Sequence, residues 1–262
     1  MSEREIISVY RYAAALVRRR LMWDLHLQSW VSRKKLKSLK NLYQGKKAVI
    51  LCNGPSLNEV DFDLLKNVYT FGLNKINLLF NKTDFRPSSI VAVNPLVLEQ
   101  NIDFYTDTSI PIFVDSYAST LGLQGGENRV FLYTSDIPSF AKDCSGSVFQ
   151  GYTVTYVALQ LAYHMGFSSV ALVGCDHYFG NVIEPNKTQE SVGLDRWHFD
   201  KNYFANGAKW DAPDLMQSER SYQRAKDNFE NNGRMLVDAT SGGNLKVLKK
   251  VKLTDFCNND ID

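Results

Sequence analysis

Five polar clusters in this sequence follow directly on apolar runs: Asn53-Gly54-Pro55-Ser56, Asn74, Asn94-Pro95, Asp176-His177-Tyr178 and Thr240-Ser241-Gly242-Gly243. In open α/β sheets ligands bind beyond the carboxyl ends of the strands, so these clusters predict a single binding edge. A Gly-Pro-Ser turn after a first strand exposes backbone N–H groups and a hydroxyl suited to a phosphate, although the same residues also make an ordinary turn. Asp176, at the end of its run, is placed to orient a ribose or Tyr178, or simply to cap the strand. Gly242-Gly243 would let the backbone approach a nucleotide base or form a tight turn. A histidine, with an ordinary pKa of about 6.5, suits general-base work. His198 in Arg196-Trp197-His198-Phe199 and His177 at a strand end compete for that role, whereas His26 and His164 fall within helical patterns and read as packing or surface residues. Glu219 and Arg220 open a late helix, where a solvated face competes with contact to an anionic ligand. Asp61-Phe62-Asp63 has the Asp-x-Asp form that can hold a divalent cation, but early in a helical stretch such carboxylates serve the dipole or solvent. No metal site and no cofactor are expected.

The elements that must position these residues alternate in type. Lys46 to Cys52 is a short apolar run of the kind found in buried parallel strands. Asn58 to Asn67 reads as a helix and Val68 to Asn74 as a second strand. Ser89 to Val93, Ile110 to Val114 and Arg129 to Tyr133 are further strands. Thr153 to Met165 is a helix leading through Gly166 to a buried strand over Ser169 to Asp176. From His177 to about Pro213 periodicity is lost, as in a lid. Ser218 to Gly233 is helical again, and Met235 to Ala239 is expected to close the sheet. The pattern implies a Rossmann-like α/β fold: a mainly parallel sheet with helices on both faces, a small lid-like insertion and an N-terminal helical extension. The expected division is a basic helical extension over 1–44, a Rossmann-like core over 45–176 and 214–262, and the lid over 177–213.

Composition is that of an ordinary globular chain, with 44% hydrophobic and 22% charged residues among 262. The four cysteines are scattered without metal-ligand or disulfide spacing, which fits a reducing cytoplasm. The first residues lack the apolar run of a secretory signal, and no apolar stretch is long enough to span a bilayer. Residues 1–47 carry twelve Lys/Arg against three acidic residues, a local +9 within a chain of net +2. Ile6, Tyr10, Ala13, Val17, Leu21 and Leu25 recur at helical spacing there, so residues 5–31 read as basic amphipathic helix. Such a segment suits docking at the inner face of a membrane, packing on the core, or a homo-oligomer contact. No nucleic-acid partner is expected.

Taken in order, Asn53-Gly54-Pro55-Ser56-Leu57, Asn74, Asn94-Pro95 and Val173-Gly174-Cys175-Asp176-His177-Tyr178 resemble the small bacterial sialyltransferases that contain a Gly-Pro-Ser-Leu turn. The pattern is also similar to the wider group of archaeal-type 6-hydroxymethylpterin diphosphokinases and motility accessory factors. It covers roughly Lys46 to Phe256. The resemblance implies an inverting glycosyltransferase that moves an acidic sugar from a CMP-sugar donor to a glycan or glycoprotein acceptor without metal. It implies donor contacts for Asn53, Gly54, Pro55, Ser56, Asn74 and Asn94, and for Gly151, Thr153 and Thr155 at a helix start. Tyr178 would assist the leaving phosphate, with Tyr203 as a second such tyrosine, and His198 would be the lid's general base. Two alternatives stand beside it: a Mg²⁺-dependent diphosphokinase acting on a pterin alcohol with ATP, and a non-catalytic nucleotide- or glycan-binding module.

Overall fold

The computed structural model describes residues 9–180, 184–205 and 207–258. In chain order its first half holds helices α1 (Val9–Asp24) and α2 (Leu27–Leu39), strands β1 (Lys47–Leu51), β2 (Tyr69–Leu73) and β3 (Ser89–Ala92), helices α3 (Pro95–Gln100) and α4 (Ile102–Asp107), and strands β4 (Ile112–Asp115) and β5 (Arg129–Leu132). There follow the short pair β6 (Thr134–Ser135) and β7 (Val148–Phe149), helix α5 (Val154–Met165), β8 (Ser169–Val173), β9 (Thr188–Glu190), β10 (Lys209–Asp211), α6 (Leu215–Glu230), β11 (Met235–Asp238), β12 (Lys249–Lys250) and α7 (Leu253–Asn258). Glu5 and Ile6, at the start of the predicted basic helix, lie outside the described residues.

Eight strands form one sheet in the order β12-β11-β8-β1-β2-β3-β4-β5, and every pairing is parallel. The run from β1 to β5 moves outward in one direction; α5 then carries the chain back so that β8 pairs with the other side of β1. Alternation along β1 explains why both faces are covered. Ala48 and Ile50 pack with the buried faces of α5 and α6, whereas Val49 and Leu51 pack with Tyr105 of α4 and Phe256 of α7. β9 and β10 pair antiparallel as a ribbon within the lid. α2 covers the open edge at β5: Phe131 N–H donates to Ser32 Oγ at 2.9 Å, so that this edge is not left as a template for another strand. Among the described residues no helix is long and apolar enough to cross a membrane.

Two expectations are corrected. Asn58 to Asn67 is not one helix but two short 3-10 turns, Pro55–Glu59 and Phe62–Leu65. Val60 is extended between them and the Asp61 carboxylate accepts from Asp63 N–H, a local alternative to the helical ladder. Met235 to Ala239 does not close the sheet, because β12 pairs outside β11.

His164, on α5, ties the N-terminal helices to this core. Its Nε2 lies 2.8 Å from Leu36 O and its Nδ1 accepts from Cys144 N–H at 3.2 Å, which fixes a neutral ring with the proton on Nε2. Burial holds its pKa below the usual histidine value despite the Leu36 carbonyl and nearby Asp143. A histidine that binds its proton less readily when folded stabilises the fold above its unfolded pKa of ~6.5, and that stability is lost as pH falls below it. The melting temperature should therefore drop between about pH 7.5 and pH 5.5, and His164→Gln should flatten the slope, leaving the part due to His177, whose pKa burial also lowers. Thermal scans across that range, with an unchanged slope in the variant as the contrary result, decide the point.

Candidate active site

The strand order reverses between β1 and β8, and a cavity of about 460 Å³ opens where their carboxyl ends diverge. Asn53, Gly54, Asn74, Asn94, Gly151, Thr153, Thr155, Asp176, Tyr178 and His198 line it, together with the competitor His177. Pro55, Ser56, Tyr203, Gly242 and Gly243 do not.

The Gly-Pro-Ser turn is already occupied. Asp176, arriving from β8, accepts from Ser56 Oγ at 2.8 Å and from Ser56 N–H at 3.3 Å through the same carboxylate oxygen. Gly54 N–H donates to Gly174 O at 2.9 Å. A Cβ on Gly54 would lie 1.9 Å from Asp176 Oδ2 and 2.7 Å from Gly174 O. The glycine thus admits a carboxylate of the protein itself, which takes the Ser56 N–H and hydroxyl, while Gly54 N–H is taken by Gly174 O. This departs from the expectation that the turn presents free donors to a phosphate.

A second positive feature lies at the start of α5, where Thr155 N–H already donates to Thr153 Oγ1 and Tyr156 N–H to Thr153 O. Gly151 and Tyr152 both adopt positive φ, 56° and 63°, which swings the chain into Thr153. Thr153 caps the helix by accepting from Thr155 N–H. This places the positive end of a twelve-residue helix at the cavity wall. A Cβ on Gly151 would meet the Tyr156 ring at 2.2 Å, so only glycine fits there.

His198 is held on three sides. Its Nδ1 lies 2.8 Å from Asp195 Oδ2, with side chains 12% and 4% exposed respectively, and its ring stacks on Tyr203 at 4.1 Å and 3°. Asp195 also accepts from the N–H groups of Trp197, His198 and Phe204. Burial would raise the Asp195 pKa, but the hydrogen bond and charge of His198 and the two nearest N–H groups outweigh it and hold the carboxylate below its ordinary value. With Nδ1 committed, Nε2 is the nitrogen left for a ligand. Tyr203 is corrected from ligand contact to platform: it is fully buried beneath His198, and burial pushes its phenol pKa up.

Two lysines fasten this loop to the sheet. Lys75 donates to Tyr203 O at 2.8 Å and to Gln100 Oε1 at 2.7 Å, and burial drives its pKa down to about 8. Lys82 donates to Phe199 O at 2.9 Å and pairs with Asp200 at 3.0 Å. Phe199 N–H in turn donates to Asn53 O at 2.9 Å, which joins the loop to the end of β1.

Other predicted residues take quieter positions. Asn94 caps α3 by accepting from Val97 N–H and donates to Asp211 Oδ2, so both ends of its amide are engaged. Asn53 Oδ1 and Asn74 Oδ1, by contrast, are buried acceptors without a partner. His177 Nε2 is 3.2 Å from Glu219 Oε1 but poorly aligned for a hydrogen bond, and burial depresses its pKa despite that carboxylate. Gly243 packs against the backbone of Cys175 and Asp176, and a Cβ on Gly242 would meet open space. Asp61 caps a 3-10 turn and Asp63 pairs with Lys66, both away from the cavity. Arg220 lies on the exposed face of α6 beside Gln217.

The lining has a distinct charge pattern. It includes Asp136, Asp176, Asp211 and Asp214 and, among the described residues, no lysine or arginine. Nor do three or more His, Cys, Asp or Glu side chains among the described residues converge as a group that could hold a metal ion. Sequence reasoning missed Asp195, although the Asp-x-x-His spacing of Asp195-Arg196-Trp197-His198 was a usable signal for a base and its orienting partner.

A doubly wound parallel sheet with a ligand-sized cavity at its switch point defines the class: a Rossmann-like α/β protein. The family model of 6-hydroxymethylpterin diphosphokinase MptE-like proteins matches residues 25–182, more than half of the chain, and the chain belongs to that family. Among solved structures, the MAf glycosyltransferase from Magnetospirillum magneticum AMB-1 shares the fold, with a TM-score of 0.53 at 13% identity over 87% of this chain. The chain spans 39% of that protein's length. No curated protein matches the sequence.

Gly54→Ala should destabilise the protein by about 1–3 kcal/mol, the usual cost of overpacking, because the Asp176 carboxylate must leave the turn. Adding Asp176→Ala should recover part of the loss. Denaturant melts of both variants test this, and two independent, additive losses would contradict the contact.

Proposed function

We propose that the protein transfers a sugar from a nucleotide donor carrying a single phosphate, of the CMP-sugar type, by an inverting mechanism with His198 as general base. The observation that carries this reading is the His198 ring, fixed by Asp195 and Tyr203 with Nε2 left free at the wall of the switch-point cavity. The acceptor hydroxyl oxygen bonds to the anomeric carbon while the bond from that carbon to the phosphate oxygen breaks. The hydroxyl proton passes to Nε2 and the electron pair leaves with the nucleotide. Asp195 stabilises the imidazolium that forms. The α5 start receives the phosphate, Tyr178 donates to it as it departs, and the amides of Asn53 and Asn74 contact the donor. An acidic donor sugar would rely on such neutral donors for its carboxylate.

The family supports a second reading, transfer of diphosphate from ATP to a pterin alcohol. That reaction gathers carboxylates on Mg²⁺ and cations around a triphosphate. The cavity lining has neither arrangement among the described residues, whereas one phosphate needs only a helix start and neutral donors.

The outward faces of α1 and α2 fit peripheral attachment to an anionic membrane. Tyr10 is 88% exposed, Leu25 81% and Trp30 64%, among exposed Arg11, Arg18 and Arg19. A symmetric contact between two copies through α1 would bring those arginines together, so lipid phosphate is the better complement. Sedimentation with phosphatidylserine vesicles should carry the protein down, and Val17→Glu with Leu21→Glu should prevent it; equal binding to neutral vesicles would oppose the role of charge.

Calorimetric titration with CMP, UDP, GDP and ATP, with EDTA and with Mg²⁺, should show preference for CMP without metal. His198→Ala should lower CMP-sugar turnover by roughly 10²–10⁴-fold while CMP binding persists. Asp195→Asn should lower it less, by about 10–10³-fold, and shift the pH profile. ATP binding only with Mg²⁺ would move the assignment to phosphoryl transfer.

A further inference from the structure

An aromatic wall surrounds His198 on the cavity side. Tyr178 stands edge-on to Trp197 with ring centroids 5.6 Å apart, and Trp210 stacks on Phe204, whose ring meets His198 edge-on at 5.3 Å. Trp197 is braced from behind. A Cβ on Gly180 would lie 2.6 Å from its ring, and its backbone N–H donates to Asp195 Oδ1 at 2.7 Å. The carboxylate that holds His198 therefore also fixes the backbone from which this ring projects. Exposed Asp211 adjoins Trp210 and already accepts from Thr188 and Asn94.

Aromatic faces carry negative charge density and attract the polarised C–H groups of a sugar ring, while carboxylates accept from its hydroxyls. The same lining offers no counter-charge for a further anion beyond those of the donor, since among the described residues it holds four aspartates and no lysine or arginine. The anion-binding helix start belongs to the donor.

Resting on the glycosyl-transfer reading, we propose that Trp197 and Trp210 flank the acceptor subsite beside His198, and that this subsite takes an uncharged sugar ring rather than an anionic sugar or a peptide hydroxyl. The ring lies against the aromatic wall and presents one hydroxyl to Nε2.

The test is saturation-transfer NMR on the full chain with lactose, 3′-sulfated lactose and a serine-rich peptide, each in the presence of CMP, alongside calorimetry with CMP alone. Lactose should bind, with the sulfated analogue weaker by about tenfold or more, as like-charge juxtaposition requires. Trp197→Ala should abolish lactose binding and Trp197→Phe, which keeps a ring, should retain most of it, with circular dichroism confirming that both fold. Asp211→Asn should narrow the gap between the two sugars. Equal or tighter binding of the sulfated sugar, preference for the peptide, or no lactose binding while CMP still binds would overturn the subsite alone. Failure of CMP to bind while lactose does would instead sink the donor reading and leave a saccharide site.

Discussion

A single carboxylate oxygen extends the β1–β8 ladder beyond the strand ends, across the loops at the switch point. Asp176 leaves the end of β8 and enters the turn after β1, where Ser56 gives it both a hydroxyl and a backbone N–H and Gly54 leaves it room. The two strands are neighbours on opposite sides of the chain reversal, so this contact spans the switch point itself. It positions His177 and Tyr178, the next residues, on the cavity wall. It also removes the first turn from the list of anion donors. The start of α5 lies beside that turn, with Thr155 Oγ1 3.6 Å from Cys52 Sγ, and is the helix end that the proposed phosphate would meet.

The second constraint is the attachment of the lid. If His198 is to act as a general base it must be fixed within a fraction of an ångström, yet the described residues between β8 and α6 hold little regular structure beyond the β9–β10 ribbon. Asp195 solves this locally by accepting from three backbone N–H groups and the His198 ring. Lys75 and Lys82 solve it globally, since each reaches from beyond β2 to a backbone carbonyl of the lid. Lys75 loses part of its hydration to do so, which is why its pKa falls, and cation–π contact with Phe204 at 4.7 Å offsets part of that cost. The His198 loop is thus held to the core by two lysines that do not line the cavity.

Seven strands of the sheet were legible because each is a short, largely buried run, whereas exposed β12, a Lys-Lys pair at the edge, carries no such signal. The gathering of strand-end residues was legible for the same reason: Asn53, Asn74, Asn94 and Asp176 line one cavity, although Thr240-Ser241-Gly242-Gly243 stays outside it. What remained hidden depends on contacts between distant segments. Nothing near Ser56 announces that Asp176 will occupy its donors, and nothing near Tyr203 shows that it will lie flat beneath His198. The misread helix at Asn58 to Asn67 has a local cause instead: Asp61 competes for the backbone of Asp63, and propensity alone undervalues such side-chain turns. Asp195 was within reach, as an acid three residues before a candidate base.

The charge of the cavity links these observations to chemistry. An enzyme that handles a triphosphate surrounds it with cations, because several negative charges taken from water must be met by charge or metal. Here the described lining offers a helix start, amides and hydroxyls on one side and aspartates among aromatic rings on the other. Neutral donors stabilise one phosphate without binding its product too tightly, and carboxylates beside aromatic faces suit hydroxylated rings. Asn53 and Asn74, each with a buried oxygen lacking a partner, add two acceptors to the inner end. An unpaired buried acceptor costs about 1–3 kcal/mol, so it is sustained where a ligand supplies the missing donor. On the proposed reading, the asymmetry between the two sides would orient the substrates, anion toward α5 and sugar against the aromatic wall beside His198.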